Sequence, residues 1–133
     1  MIKITDLRKH SPISLRTMAD TLGIESANLK GEQIITEILK KKFEQGETIV
    51  CLGVLEILGD QFGFLRYPEV NYLPGIADIY VAPEFIQSNH LKTGDVIEGI
   101  VIAPRTEEER YFSLKEIHTI NFEDPRKSFR RIP

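Results

Sequence analysis

Two hydrophobic periods divide the chain, and the change falls near residue 48. Before it, apolar residues recur at helical spacing. Leu15, Met18, Ala19 and Leu22 lie at i, i+3, i+4 and i+7, and Ile34, Ile35, Ile38 and Leu39 make two adjacent rows on one face. Ser11-Pro12 reads as a helix start, serine as the cap and proline at the first helical position, and Gly23 as a stop. The pattern predicts a short helix over residues 4–9, a second from Pro12 to the glycine, a helical piece over residues 25–29, and a helix over residues 31–45 ended by Gly46. Lys40, Lys41 and Lys42 crowd the last turns, where cations suit the helix dipole. Helices this short are marginal alone and must pack together.

From Ile49 onward the period shortens towards two. Strands are predicted over residues 49–58, 62–67, 78–81, 96–102 and 111–121. Between them lie a turn at Gly59-Asp60-Gln61, a loop over residues 68–75, a helical turn over residues 84–89, a turn at Leu91-Lys92-Thr93-Gly94-Asp95, and a polar loop over residues 104–110. The fold class is therefore α+β: a small N-terminal three-helix bundle over residues 1–48, then a five-stranded barrel over residues 49–122. Residues 123–133 show no clear period and read as a basic connector cut short or a flexible end. The OB-fold is a common five-stranded barrel and a frequent binder of single strands.

Two of these strands repeat one device. In Phe62-Gly63-Phe64-Leu65-Arg66, alternation sends Leu65 to one face and Phe62, Phe64 and Arg66 to the other. In Asp78-Ile79-Tyr80-Val81, Ile79 and Val81 take one face, and Asp78 and Tyr80 the other. Leu65 is the core residue, and Gly63 is expected to keep the backbone clear between rings. Rings beside a hydrogen-bonding cation make a stacking platform for unpaired bases. An arginine donates to a carbonyl or ring nitrogen and a carboxylate accepts from an exocyclic amine, so Arg66 and Asp78 together suit the Watson–Crick edge of cytosine. The plainer alternatives are core phenylalanines and an interstrand salt bridge worth about 0–1 kcal/mol. Glu109 and Tyr111, closing the last loop, offer the wall of a second base pocket; a solvated turn is the competing account of Glu107-Glu108-Glu109.

Charge shapes this reading. The net charge is −3, but residues 1–46 carry 8 basic and 6 acidic side chains, residues 47–122 carry 5 and 12, and residues 123–133 carry 4 and 2. An acidic barrel with rings is expected to bind by stacking and base-edge bonds rather than by tracking phosphates, with a shallow salt dependence. The start lacks an apolar signal region and no apolar run nears the ~20 residues of a membrane span. The lone Cys51 excludes an internal disulfide and a cysteine-rich zinc site and fits a reducing cytoplasm. No phosphate loop, nucleophile elbow or zinc-protease motif occurs, and His10, His90 and His118 are scattered singly, so no catalytic or metal residue is assigned. A hydrolase built on the Glu107–Glu109 cluster lacks a positioned nucleophile or metal.

Five segments in order, Gly53-Val54-Leu55-Glu56-Ile57-Leu58, Phe62-Gly63-Phe64-Leu65-Arg66, Asp78-Ile79-Tyr80-Val81, Leu91-Lys92-Thr93-Gly94-Asp95 and Glu109-Arg110-Tyr111-Phe112, closely resemble the N-terminal RNA-binding domain of the bacterial transcription termination factor Rho family. The preceding residues 6–46 are similar to its helical bundle. Two of the segments are also similar to cold-shock domains, so the barrel is expected to be a cold-shock-like OB-fold. The resemblance implies that Phe64 and Tyr80 stack on pyrimidines, with Phe62 on or beside the platform. It further implies that Arg66 and Asp78 read a cytosine edge and that Glu109, Arg110 and Tyr111 enclose the neighbouring cytosine. The implied partner is single-stranded C-rich RNA, or single-stranded DNA in vitro. The intact family protein is a homohexameric, RNA-dependent ATPase and helicase acting with the transcription elongation machinery, and ATP and Mg belong to its ATPase domain. This chain alone is expected to be monomeric, without cofactor and not an enzyme. Two departures stand out. The loop over residues 104–109 is one residue longer than is usual in the family, with Glu108 at a common glycine position, and Ile102-Ala103 stands where a basic residue often precedes Pro104. The alternative is a shortened paralogue using the same barrel as a protein-interaction or regulatory module.

Overall fold

The computed structural model describes residues 1–29, 31–59, 61–66, 78–106 and 108–124. The predicted loop over residues 68–75 and most of the basic connector lie outside the described residues, as does Glu107.

The helical part comprises α1 (Ile4–Leu7), α2 (Pro12–Thr21) and α3 (Glu32–Glu44). At the start of α2 the Ser11 side chain accepts a hydrogen bond from the Ser14 N–H at 3.2 Å, with Pro12 in the first turn. Beyond its end, Gly23 takes a φ of +76°, a conformation that other residues adopt at a cost. Leu15 and Ala19 on α2, and Ile34, Ile35, Ile38 and Leu39 on α3, are buried, as their spacing predicts.

Three local expectations change. The first helix stops at Leu7 rather than residue 9. The two residues before it, β1 (Ile2–Lys3), pair in parallel with Ile49 and Val50, a contact that two residues alone cannot advertise. Residues 25–29 form no helix; the Arg16 guanidinium donates to the Ser26 carbonyl and, at 2.9 Å, to the Leu29 carbonyl. The Ser26 carbonyl also accepts from the Leu29 N–H at 3.1 Å, so the segment keeps one turn that Arg16 ties to α2.

The barrel strands are β2 (Ile49–Ile57), β3 (Gly63–Arg66), β4 (Ile79–Val81), β5 (Val96–Ile102) and β6 (Phe112–Ile120), with α4 (Pro83–Ser88) between β4 and β5. The sheet runs β1-β2-β3-β4-β6-β5, and a β2–β5 pairing closes it. All barrel pairings are antiparallel except β4 with β6. A closed five-stranded barrel with this order and a helix after its third strand is the OB-fold. The Leu91–Asp95 turn is structural: Asp95 accepts from the Lys92 N–H at 2.8 Å and from the Asn121 amide at 3.1 Å.

One cluster of buried side chains joins helices and barrel, running from Ile4, Leu7 and Ile38 to Ile49, Leu65, Ile97 and Ile120. Burial in this core pushes the Cys51 thiol pKa up to about 12. Where β5 and β6 shift register, a Cβ on Gly99 would sit 2.1 Å from the Glu116 carbonyl oxygen, so no larger residue fits without moving β6.

Candidate nucleic-acid interface

Strand alternation builds the site. Leu65, Ile79, Val81, Phe112 and Leu114 point inward and are buried. Phe64 and Tyr80, directly paired between β3 and β4, therefore project from the outer face. Tyr80 pairs with Ser113 across the parallel β4–β6 ladder, and Tyr111 precedes Ser113 on the same face. Three strands thus deliver their rings to one place.

Phe64 is the hub. Its ring centroid lies 4.8 Å from Tyr111, 5.8 Å from Phe62 and 5.9 Å from Tyr80, all in edge-on geometry. Phe62 meets Tyr80 at 5.8 Å with their planes 30° apart. Such contacts hold rings in fixed orientations while leaving faces unstacked. All four rings are half-buried. Phe62 thus joins the ring cluster. Gly63 acts differently from the expectation. Its missing Cβ would point inward, 2.8 Å from the Leu55 side chain and 2.9 Å from the Glu56 carbonyl oxygen. The space it spares is in the core beneath the rings, not between them.

Arg66 and Asp78 lie on the ring face, as alternation requires, but they are not exposed: their relative exposures are 5% and 4%. Arg66 Nη1 donates to Asp78 Oδ2 at 3.2 Å. Its Nε lies 2.7 Å from Glu56 Oε1, close enough for an ion pair but out of line for a hydrogen bond. The guanidinium carbon sits 5.5 Å from the Phe64 ring centroid, within cation–π range. Arg66 and Asp78 form an interstrand salt bridge that is buried and has a second carboxylate beside it, and breaking it leaves a desolvated charge. Arginine has five N–H donors, and Asp78 takes one of them in this bond.

The third group closes a pocket. Tyr80, Arg105, Glu109, Arg110, Tyr111 and Ser113 line a concavity of about 330 Å³ beside the rings. Glu109 Oε2 accepts from the Arg105 backbone N–H at 3.2 Å, and the Arg105 side chain approaches Glu109 Oε1 at 3.8 Å. The carboxylate is thus turned back onto its own loop, while Arg110 is exposed. All eight side chains singled out in the sequence lie on this face or its rim. Glu56, Arg105 and Ser113 were missed. Ser113 was readable, two residues beyond Tyr111 on the same strand face. Glu56 and Arg105 carry no local signal, because their approach depends on pairing between strands and on the loop's path. Among the described residues no group of three potential metal ligands occurs, and no helix is long and apolar enough to cross a membrane.

A family model described as Rho termination factor, RNA-binding domain, matches residues 51–126, which hold every ring of the site. The chain belongs to that family. It is 46% identical over 132 residues to the transcription termination factor Rho of Cereibacter sphaeroides and 42% identical over 133 residues to that of Escherichia coli (strain K12). Each match takes in 98% of this chain, helical part included, and the chain spans 31% of the length of these curated relatives.

Proposed function

We propose that this chain is the part of a Rho-type termination factor that captures single-stranded, pyrimidine-rich RNA. The observation that carries this reading is the cluster of Phe62, Phe64, Tyr80 and Tyr111 on the outer face of an OB-fold barrel, opening on a pocket with charged walls. Phe64 and Tyr80 stack on bases, with Phe62 bracing Tyr80. Arg66 and Asp78, held against each other, address the donor and acceptors of a cytosine edge. Glu109, Arg110 and Tyr111 enclose the adjacent base. Stacking supplies about 1–3 kcal/mol per base without distinguishing sequence, so discrimination rests on the polar pair.

The chain is organised as a helical bundle over residues 1–48, the RNA-binding barrel over 49–122 and a connector from 123. It does no catalysis and needs no cofactor itself. The longer protein to which it belongs is a bacterial, cytoplasmic homohexamer that hydrolyses ATP with Mg, acts as a helicase on C-rich transcripts and meets the elongation machinery. The family membership and the much greater length of the matched termination factors support this placement.

Fluorescence anisotropy with oligocytidine and oligoadenosine tests the reading. Tighter binding of oligocytidine is expected. Equal affinities refute the cytosine-reading role of Arg66 and Asp78, and no binding even at low salt assigns the barrel to protein contacts instead.

A further inference from the structure

Arg105 and Glu109 do more than line the ring pocket. The same two side chains form one wall of a larger open groove of about 780 Å³, whose other wall is α3. Lys40 and Phe43, one turn apart near the end of α3, face Pro104 and Arg105 across it. Phe43 is 37% exposed, so part of its ring surface is open to the groove. Among the described residues Lys40 pairs with its helix neighbour Glu37, at 3.7 Å, and Arg105 approaches its own loop's Glu109 at 3.8 Å. Both are exposed pairs that a competing anion exchanges at little cost.

A strand held in the ring pocket must continue past one of its rims. The groove begins where the pocket ends, with shared walls. It offers a ring and two cations, which is what the next nucleotide requires. We propose that the groove between α3 and the β5–β6 loop holds the nucleotide that follows those in the ring site, its base against Phe43 and its phosphate between Lys40 and Arg105. The inference rests on the RNA-binding reading above and extends it from the barrel to the helical part. Glu44 and Glu109 also line the groove, so the phosphate must sit on the lysine–arginine side. The helices then lengthen the RNA track as well as bracing the barrel.

Oligonucleotide length separates this proposal from the reading beneath it. Dicytidine fills the ring site alone, and hexacytidine also reaches α3. Wild type, Phe43→Ala, Phe43→Leu and Lys40→Gln are titrated with both by NMR and anisotropy. Dicytidine affinity is expected to be equal in all four. Hexacytidine affinity is expected to fall about tenfold in Phe43→Ala and in Phe43→Leu, since leucine keeps apolar packing but not the ring. In Lys40→Gln the slope of log affinity against log salt is expected to flatten by about 0.7, one phosphate's share on a single strand. Hexacytidine binding unchanged in the variants, recovered by leucine, or lost in parallel with dicytidine binding overturns the groove and leaves the ring site standing. Failure of wild type to bind either oligomer refutes the RNA reading and the groove with it.

Discussion

The two faces of the β3-β4-β6 ribbon use the same backbone for opposite ends. On the inner face Leu65, Ile79, Val81 and Phe112 are sealed into the common core. On the outer face, one residue away along each strand, Tyr80 and Tyr111 each meet the Phe64 ring in T-shaped contact, and all three stay half-exposed. Apolar area is removed from water on one face and held at its boundary on the other. The inner face provides stability, while the outer face keeps ring surface for a ligand to cover. The difference shows that aromatic content alone does not identify core. Pleat parity assigns each side chain to a face, and ring-to-ring geometry shows whether that face is finished.

Substitutions on either face test this contrast. Leu65→Ala is expected to have the largest effect, a loss of about 2–5 kcal/mol in chemical denaturation, with RNA affinity unchanged for the molecules that remain folded. If it weakens RNA binding while leaving stability intact, the assignment of faces is reversed. Asp78→Ala removes one partner of a buried pair. Glu56 partly compensates, so a cost near 3 kcal/mol is expected, the low end for such changes, together with loss of preference for oligocytidine over oligoadenosine. A cost below 0.5 kcal/mol with preference retained places the pair at the solvent-exposed limit. Phe64→Ala is expected to reverse the pattern of Leu65→Ala. It should cost about 1–3 kcal/mol of binding by titration, and less stability than the leucine change. Unfolding comparable to Leu65→Ala makes Phe64 a core residue.

Cys51 needs no substitution and marks the sealed side by pH. Its pKa is raised from 9.0 to about 12 by burial, so folding favours the protonated thiol. That contribution is fully present below pH 9 and is lost as the pH rises from 9 towards 12. Below pH 9 the thiol is expected to resist alkylation until the chain unfolds, so that its labelling follows the unfolding transition. Rapid labelling of the native chain at pH 8 shows an open core.

Much of this was legible in residue order. The helical stripe of α2, the paired isoleucine rows of α3 and the alternation in β3 and β4 each survive in the structure because each is a local period that one buried face enforces. Phe62, Phe64, Arg66, Asp78 and Tyr80 were placed on one face in the same way, from parity plus residue type, whereas Arg110 entered through the family resemblance. What escaped depended on distant partners. Residues 25–29 form a turn whose Ser26 and Leu29 carbonyls accept from the distant Arg16. Gly63 relieves Leu55 in the core, although its neighbours suggested the rings. Glu56 joins Arg66 only because β2 and β3 pair in that register.

By itself the sequence determined which residues face together, because side-chain direction along a strand or helix follows from backbone geometry over a few residues. It also determined the family, since five short segments keep their order and the match runs over nearly the whole chain. The tertiary structure alone decided how those faces meet: the closure of β2 on β5, the burial of the Arg66–Asp78 pair, the edge-on contacts of four rings, and the groove that sets α3 beside the β5–β6 loop. Those contacts join residues far apart in the chain, and their distances are set by how strands register and helices pack.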